Sequence, residues 1–66
     1  MKNNIKIERA INSLTQEDLA NKVFVSRQTI NAMEANKYVP STVLAIKIAK
    51  VFNKSVEQVF LLDEND

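Results

Sequence analysis

The side chains of this 66-residue chain best suited to specific recognition lie close together: Arg27, Gln28 and Asn31, with the hydroxyls of Ser26 and Thr29 beside them. Arginine bonds bidentately to the O6/N7 edge of guanine, and glutamine or asparagine to the N6/N7 edge of adenine. A cluster of these types at helical spacing therefore offers the chemistry of reading base edges. Arg27 fits a phosphate as well as a guanine. Little else in the chain is reactive. It has no histidine, no cysteine and no glycine, which removes the commonest zinc ligands, the usual nucleophile–base pairs and a glycine-rich phosphate cradle. The acids do not cluster at helical spacing, so catalysis is the weakest functional class. No metal, cofactor or small-molecule effector is expected.

Capping residues mark the elements that must position this cluster. Thr15 followed by Asp18 resembles a capping box with the shorter acid, Ser55 followed by Gln58 is a full one, and Ser26 and Ser41 each precede helical patterning. The reading is all-α, with five helices. The first, Asn4 to Asn12, spaces Ile7, Ala10, Ile11 and Leu14 as one buried face. The second, Gln16 to Val23, turns Leu19, Ala20 and Val23 inward. The third, Arg27 to Ala35, buries Ile30 and Met33 and leaves Gln28 and Asn31 outside. The fourth, Thr42 to Phe52, buries Leu44, Ala45, Ile48, Ala49 and Phe52, and the fifth runs from Val56 to about Leu62. Without glycine, asparagine is the next best residue for a left-handed C′ position, and at least two of Asn12, Asn36 and Asn53 are expected at positive φ. Pro40 bars any helical continuation of the 36–39 loop. A brief strand pair is conceivable only between residues 1–3 and 60–62.

The second and third helices are joined through Phe24 to Ser26, the connection length of a DNA-binding helix-turn-helix, and small Ala20 lets them approach closely. A chain of this length buries only about 60% of its unfolded surface, which leaves room for one domain, residues 1–66, with the helix-turn-helix at 16–35. Charge is unevenly placed. Residues 1–54 carry all nine lysines and arginines and four acids, for +5, whereas residues 55–66 carry four acids and no base, for −4. A basic body suits a polyanion such as double-stranded DNA. No apolar run approaches a membrane span and no signal-like stretch opens the sequence, so no membrane partner and a cytoplasmic location are expected.

Three motifs in order carry a resemblance: Leu14-Thr15-Gln16-Glu17-Asp18-Leu19-Ala20, Val25-Ser26-Arg27-Gln28-Thr29-Ile30-Asn31, and Lys37-Tyr38-Val39-Pro40-Ser41. Together they resemble the Xre or lambda-repressor-like family of prokaryotic and phage regulators, in its short stand-alone members, over nearly the entire chain. The resemblance implies a compact five-helix lambda-repressor-like domain. It implies that Arg27, Gln28 and Asn31 face base edges. By the same resemblance Gln16 meets a phosphate through its side chain and backbone N–H, and Ser26, Thr29, Lys37 and Tyr38 lie near the DNA backbone. Tyr38 equally suits packing on Pro40. Arg9 and Glu34 match an internal salt bridge between the first and third helices. Two positions depart from the family: Phe24 stands at the usual turn glycine and Asn36 at the loop glycine. A bulky residue at positive φ costs on the order of 1 kcal/mol, unless the turn becomes right-handed and changes the helix angle.

The C-terminal helix and tail, residues 55–66, hold more apolar side chains than one core-facing stripe can hide. Val59, Phe60, Leu61 and Leu62 are the expected homodimer surface, in keeping with the family's C-terminal dimers. The acidic Asp63–Asp66 end would lie away from DNA, with a frayed end expected for its last residues. The reading is a sequence-specific DNA-binding transcriptional regulator, a repressor acting as a homodimer. The alternative is a protein interaction module, antitoxin-like, docking through the apolar and acidic tail.

Overall fold

Each helix begins where a side chain satisfies the amides that a helix start leaves unpaired. The computed structural model describes residues 1–66 and arranges them as β1 (Lys2–Asn3), α1 (Ile5–Ile11), α2 (Gln16–Val23), α3 (Arg27–Glu34), α4 (Thr42–Val51), α5 (Val56–Val59) and β2 (Phe60–Leu61). The Asp18 amide donates to Thr15 Oγ1 and the Thr15 amide to Asp18 Oδ2, both at 2.9 Å. Ser26 Oγ accepts from the Thr29 amide and Ser41 Oγ from the Leu44 amide, each at 3.2 Å. At α5 the Ser55 amide donates to Gln58 Oε1 at 2.9 Å.

The helix ends use left-handed residues in place of the missing glycines. Asn36 and Asn53 sit at φ 61° and 55°, while after α1 that role falls to Ser13 at 56°, and Asn12 stays at −95°. Phe24 also keeps the left-handed turn, at φ 62° and ψ 44°. The turn therefore does not become right-handed, and the strain expected of a bulky residue there is retained. The residue is 85% exposed, with Lys47 Nζ 5.8 Å from its ring centroid.

Burial in α1 departs from the expected face. Ile5 and Glu8 point inward, whereas Ile7 and Ile11 are 59% and 67% exposed and Ala10 is exposed too; only Leu14 of the expected set packs on the core. The competing contacts are tertiary. The Asn4 amide donates to the Val59 carbonyl at 2.8 Å, and Lys54 Nζ pairs with Glu8 Oε2 at 3.0 Å, which rotates Ile5 and Glu8 toward α5. The core joins Ile5 to Leu19, Ala20, Val23, Ile30, Met33 and Ile48, among others, in one cluster.

The fifth helix is shorter than expected. It stops at Val59, because Phe60 turns extended and pairs antiparallel with β1, Lys2 opposite Leu61 and Asn3 opposite Phe60. Val59 and Phe60 consequently belong to the core of this chain, and of the four residues expected at a dimer surface only Leu61 and Leu62 lie outside. The acidic end folds back: the N-terminal amine lies 3.3 Å from Asp63 and 3.2 Å from Asp66. No helix is long and apolar enough to cross a membrane.

Candidate nucleic-acid interface

The α2–turn–α3 unit positions the polar cluster through its own core. Leu19, Ala20 and Val23 of α2 face Ile30 and Met33 of α3, all buried, and the one-methyl side chain of Ala20 keeps the two helices close. With one stripe of α3 committed inward, Arg27, Gln28 and Asn31 are left exposed.

A hydrogen-bonded chain runs beneath them. Arg9 grips Glu34 in a bidentate pair, Nε to Oε2 at 2.6 Å and Nη2 to Oε1 at 3.0 Å, and its remaining Nη1 donates to the Leu14 carbonyl at 3.0 Å. The side chains of this pair are only 15% and 9% exposed, a setting in which a charge-assisted fork is geometrically specific. Glu34 Oε1 also accepts from Gln16 Nε2 at 3.1 Å. The same nitrogen donates to Asn31 Oδ1 at 3.2 Å, and Gln16 Oε1 accepts from Arg27 Nη1 at 3.4 Å. Five residues from three helices are thus linked in one network.

Burial by itself would raise the Glu34 carboxyl, but hydrogen bonds from Arg9 and Gln16, with the positive charges of Arg9 and Lys6, outweigh it and hold the group below its ordinary range. The Arg9 guanidinium is raised, first by its hydrogen bonds to Glu34, with desolvation opposing and the charge attraction assisting. Both ends of the pair are therefore charged near neutral pH.

The other site residues expected from sequence divide into two groups. Ser26 and Thr29 are occupied with the start of α3: Ser26 Oγ caps the Thr29 amide, and the two hydroxyl oxygens lie 3.0 Å apart. Gln28 makes no side-chain hydrogen bond within the chain and stands free at the N-terminal turn of α3. Lys37 and Tyr38 are exposed in the loop after α3 and are not joined to the network. Gln16 differs from its expected state. Both protons of its Nε2 are engaged, so the free donor at this position is its backbone N–H in the first turn of α2, where helix starts favour anions.

Asn3 is a positioning residue that sequence reasoning missed. Its Nδ2 donates to the Met33 carbonyl at 2.8 Å and to Asn36 Oδ1 at 3.1 Å, tying β1 to the C-terminal end of α3. No local pattern announces a contact between residues thirty-three positions apart.

Two helices joined by a short left-handed turn, the second capped by Ser26 and bearing an exposed polar edge, define a helix-turn-helix protein. The chain belongs to the Xre-like helix-turn-helix family of transcriptional regulators: the family described as Helix-turn-helix matches residues 5–59. It is 53% identical over 66 residues to an uncharacterized HTH-type transcriptional regulator of Methanocaldococcus jannaschii, covering 100% of both chains. It is 48% identical to one of Archaeoglobus fulgidus, covering 100% of this chain and 93% of that one. With the Bacillus subtilis HTH-type transcriptional regulator YgzD it shares 47% identity, again over 100% of both.

Proposed function

We propose that this protein is a sequence-specific, double-stranded DNA-binding repressor that inserts α3 into the major groove as a homodimer and acts by occupying an operator. The observation that carries the reading is the exposed edge of Arg27, Gln28 and Asn31 on a helix whose other stripe is locked in the core. Such an edge, on a helix narrow enough for the groove, meets base edges by geometry. The Gln16 backbone N–H, Lys37 and Tyr38 hold phosphates on either side, while Ser26 and Thr29 place the first turn of α3 against the backbone.

An α3 of eight residues reaches only a few base pairs, and two copies about 34 Å apart read two half-sites. The protomer supports a second copy of itself as partner. Val39, Val43, Ile46, Leu61 and Leu62 are exposed apolar side chains, and two of them, Val39 and Ile46, line a groove with Met1, Pro40, Ala45 and Val56.

Selection of bound sequences from a random duplex pool tests the reading. The expected result is one enriched motif with two-fold symmetry, bound with an affinity that falls with salt by a slope of about −0.9 per neutralised phosphate. Equal binding of all duplexes at physiological salt would overturn it.

A further inference from the structure

The hydrogen-bonded chain beneath α3 has a polarity, and that polarity reaches the base-reading edge. An amide offers an acceptor oxygen and a donor nitrogen, and which way it points is decided by its neighbours. Gln16 lies between two groups that leave no choice. On one side is Glu34, a carboxylate held ionised, which only accepts. On the other is Arg27, a guanidinium, which only donates. Gln16 must therefore turn Nε2 toward Glu34 and Oε1 toward Arg27, as the 3.1 Å and 3.4 Å contacts record. Its second Nε2 proton then needs an acceptor, and Asn31 supplies Oδ1 at 3.2 Å.

The consequence lies at Asn31. With its oxygen turned inward to Gln16, its exposed polar atom is Nδ2, a donor. Arg27, which spends one Nη1 proton on Gln16, has only donors left. Resting on the DNA-binding reading above, we infer that the Glu34–Gln16 relay sets the base specificity of α3. By turning the Asn31 oxygen inward it leaves position 31 donor-only beside the donor-only Arg27, so that both residues select guanine, whose major-groove edge carries two acceptors. Adenine presents one acceptor beside an N6 donor. Asparagine pairs with it bidentately only when its oxygen and nitrogen both face the base, and here the oxygen is turned inward to Gln16. Glu34 and Gln16 thus act as positioning residues for specificity, through Asn31, without touching a base. Gln28 stands outside the relay and keeps both its donor and its acceptor, so it remains able to read adenine.

The test is selection from a random duplex pool with the wild-type protein, Asn31→Ala, Gln16→Ala and Glu34→Gln, each checked for folding by its thermal melt. Asn31→Ala identifies the base-pair column that Asn31 contacts, as the column whose preference it abolishes. In that column the wild type is expected to favour guanine over adenine by about tenfold, the discrimination that one well-placed contact supplies. Gln16→Ala and Glu34→Gln release the Asn31 amide, and the same preference should fall to within about threefold as adenine is admitted. Gln16→Ala leaves the Arg9–Glu34 pair in place, so it carries the test if Glu34→Gln does not fold. Adenine selected by the wild type in that column, a preference unchanged in Gln16→Ala, or no column altered by Asn31→Ala would each overturn the relay while leaving the DNA-binding reading intact. A pool from which the wild type enriches no sequence would overturn both.

Discussion

The region around the α3 N-terminus and the region formed by α4, α5 and the paired termini solve different problems with different forces. In the first, Arg9, Glu34, Gln16, Asn31 and Arg27 are joined by directional hydrogen bonds. In the second, Ile48, Phe52, Val59 and Phe60 are buried by contacts without direction. A largely buried ion pair contributes little net stability compared with apolar residues of the same volume, because desolvation offsets much of the Coulomb gain. Its contribution is orientation. The apolar region keeps the chain folded, while the polar one orients side chains.

The largest effect is expected where the apolar region is cut. Phe60→Ala should cost about 3–5 kcal/mol, close to the whole stability of a domain of this size at roughly 0.1 kcal/mol per residue. Urea denaturation checks it, and a loss below about 1 kcal/mol would break the assignment of stability to this region.

Cutting the polar region should cost less. Arg9→Ala strands the Glu34 carboxylate and is expected to destabilise by about 2–3 kcal/mol. The sharper form is the pair Arg9→Met with Glu34→Leu, which should regain most of that stability in urea melts yet still bind its selected site poorly. Recovery of both together would mean that the network does not aim the reading edge. Acid should act on the same region. The Glu34 pKa is depressed on folding, so its contribution is complete above the ordinary glutamate value of 4.5 and is lost as pH falls through the lower folded value. Asp18, lowered by its backbone and side-chain hydrogen bonds to Thr15, follows the same sign. A Tm that rises as pH drops below 4.5 would contradict both assignments.

Gln28→Ala tests the reading edge alone. It should cost about 1–3 kcal/mol on the selected site and relax one base position, with the melting temperature unchanged because Gln28 bonds to nothing in the chain. Fluorescence anisotropy on matched and mismatched duplexes measures the difference. The smallest effect is expected at the turn. Phe24→Gly relieves the left-handed strain but adds unfolded-state entropy and removes the contact with Lys47, for a net gain of about 0.5 kcal/mol. A clear loss of stability would show that the exposed ring holds the turn.

Much of the fold was legible from local order. The caps Thr15, Ser26 and Ser41 act on amides three residues on, and at α5 the Gln58 side chain accepts from the Ser55 amide, so the helix starts can be read from neighbours alone. Asn36 and Asn53 supply left-handed ends for an equally local reason, the backbone tolerance of asparagine. The exposed edge Arg27, Gln28 and Asn31 follows from the period of α3 once Ile30 and Met33 are taken as its buried stripe.

Position along the chain says nothing, however, about which of two apolar stripes a two-turn helix buries. In α1, Ile7 and Ile11 make as good a stripe as Ile5 with its neighbours. The choice is made by Val59 and Lys54, more than forty residues away. The reach of α5 was likewise settled by a distant partner, since Phe60 leaves the helix to pair with Asn3. By itself the sequence determined which residues form a helix-turn-helix and which polar side chains it displays, because capping and periodicity are short-range. Only the tertiary structure decided how the amides of Gln16 and Asn31 point, because Gln16 of α2 meets the acceptor Glu34 and the donor Arg27 of α3 only once the two helices pack.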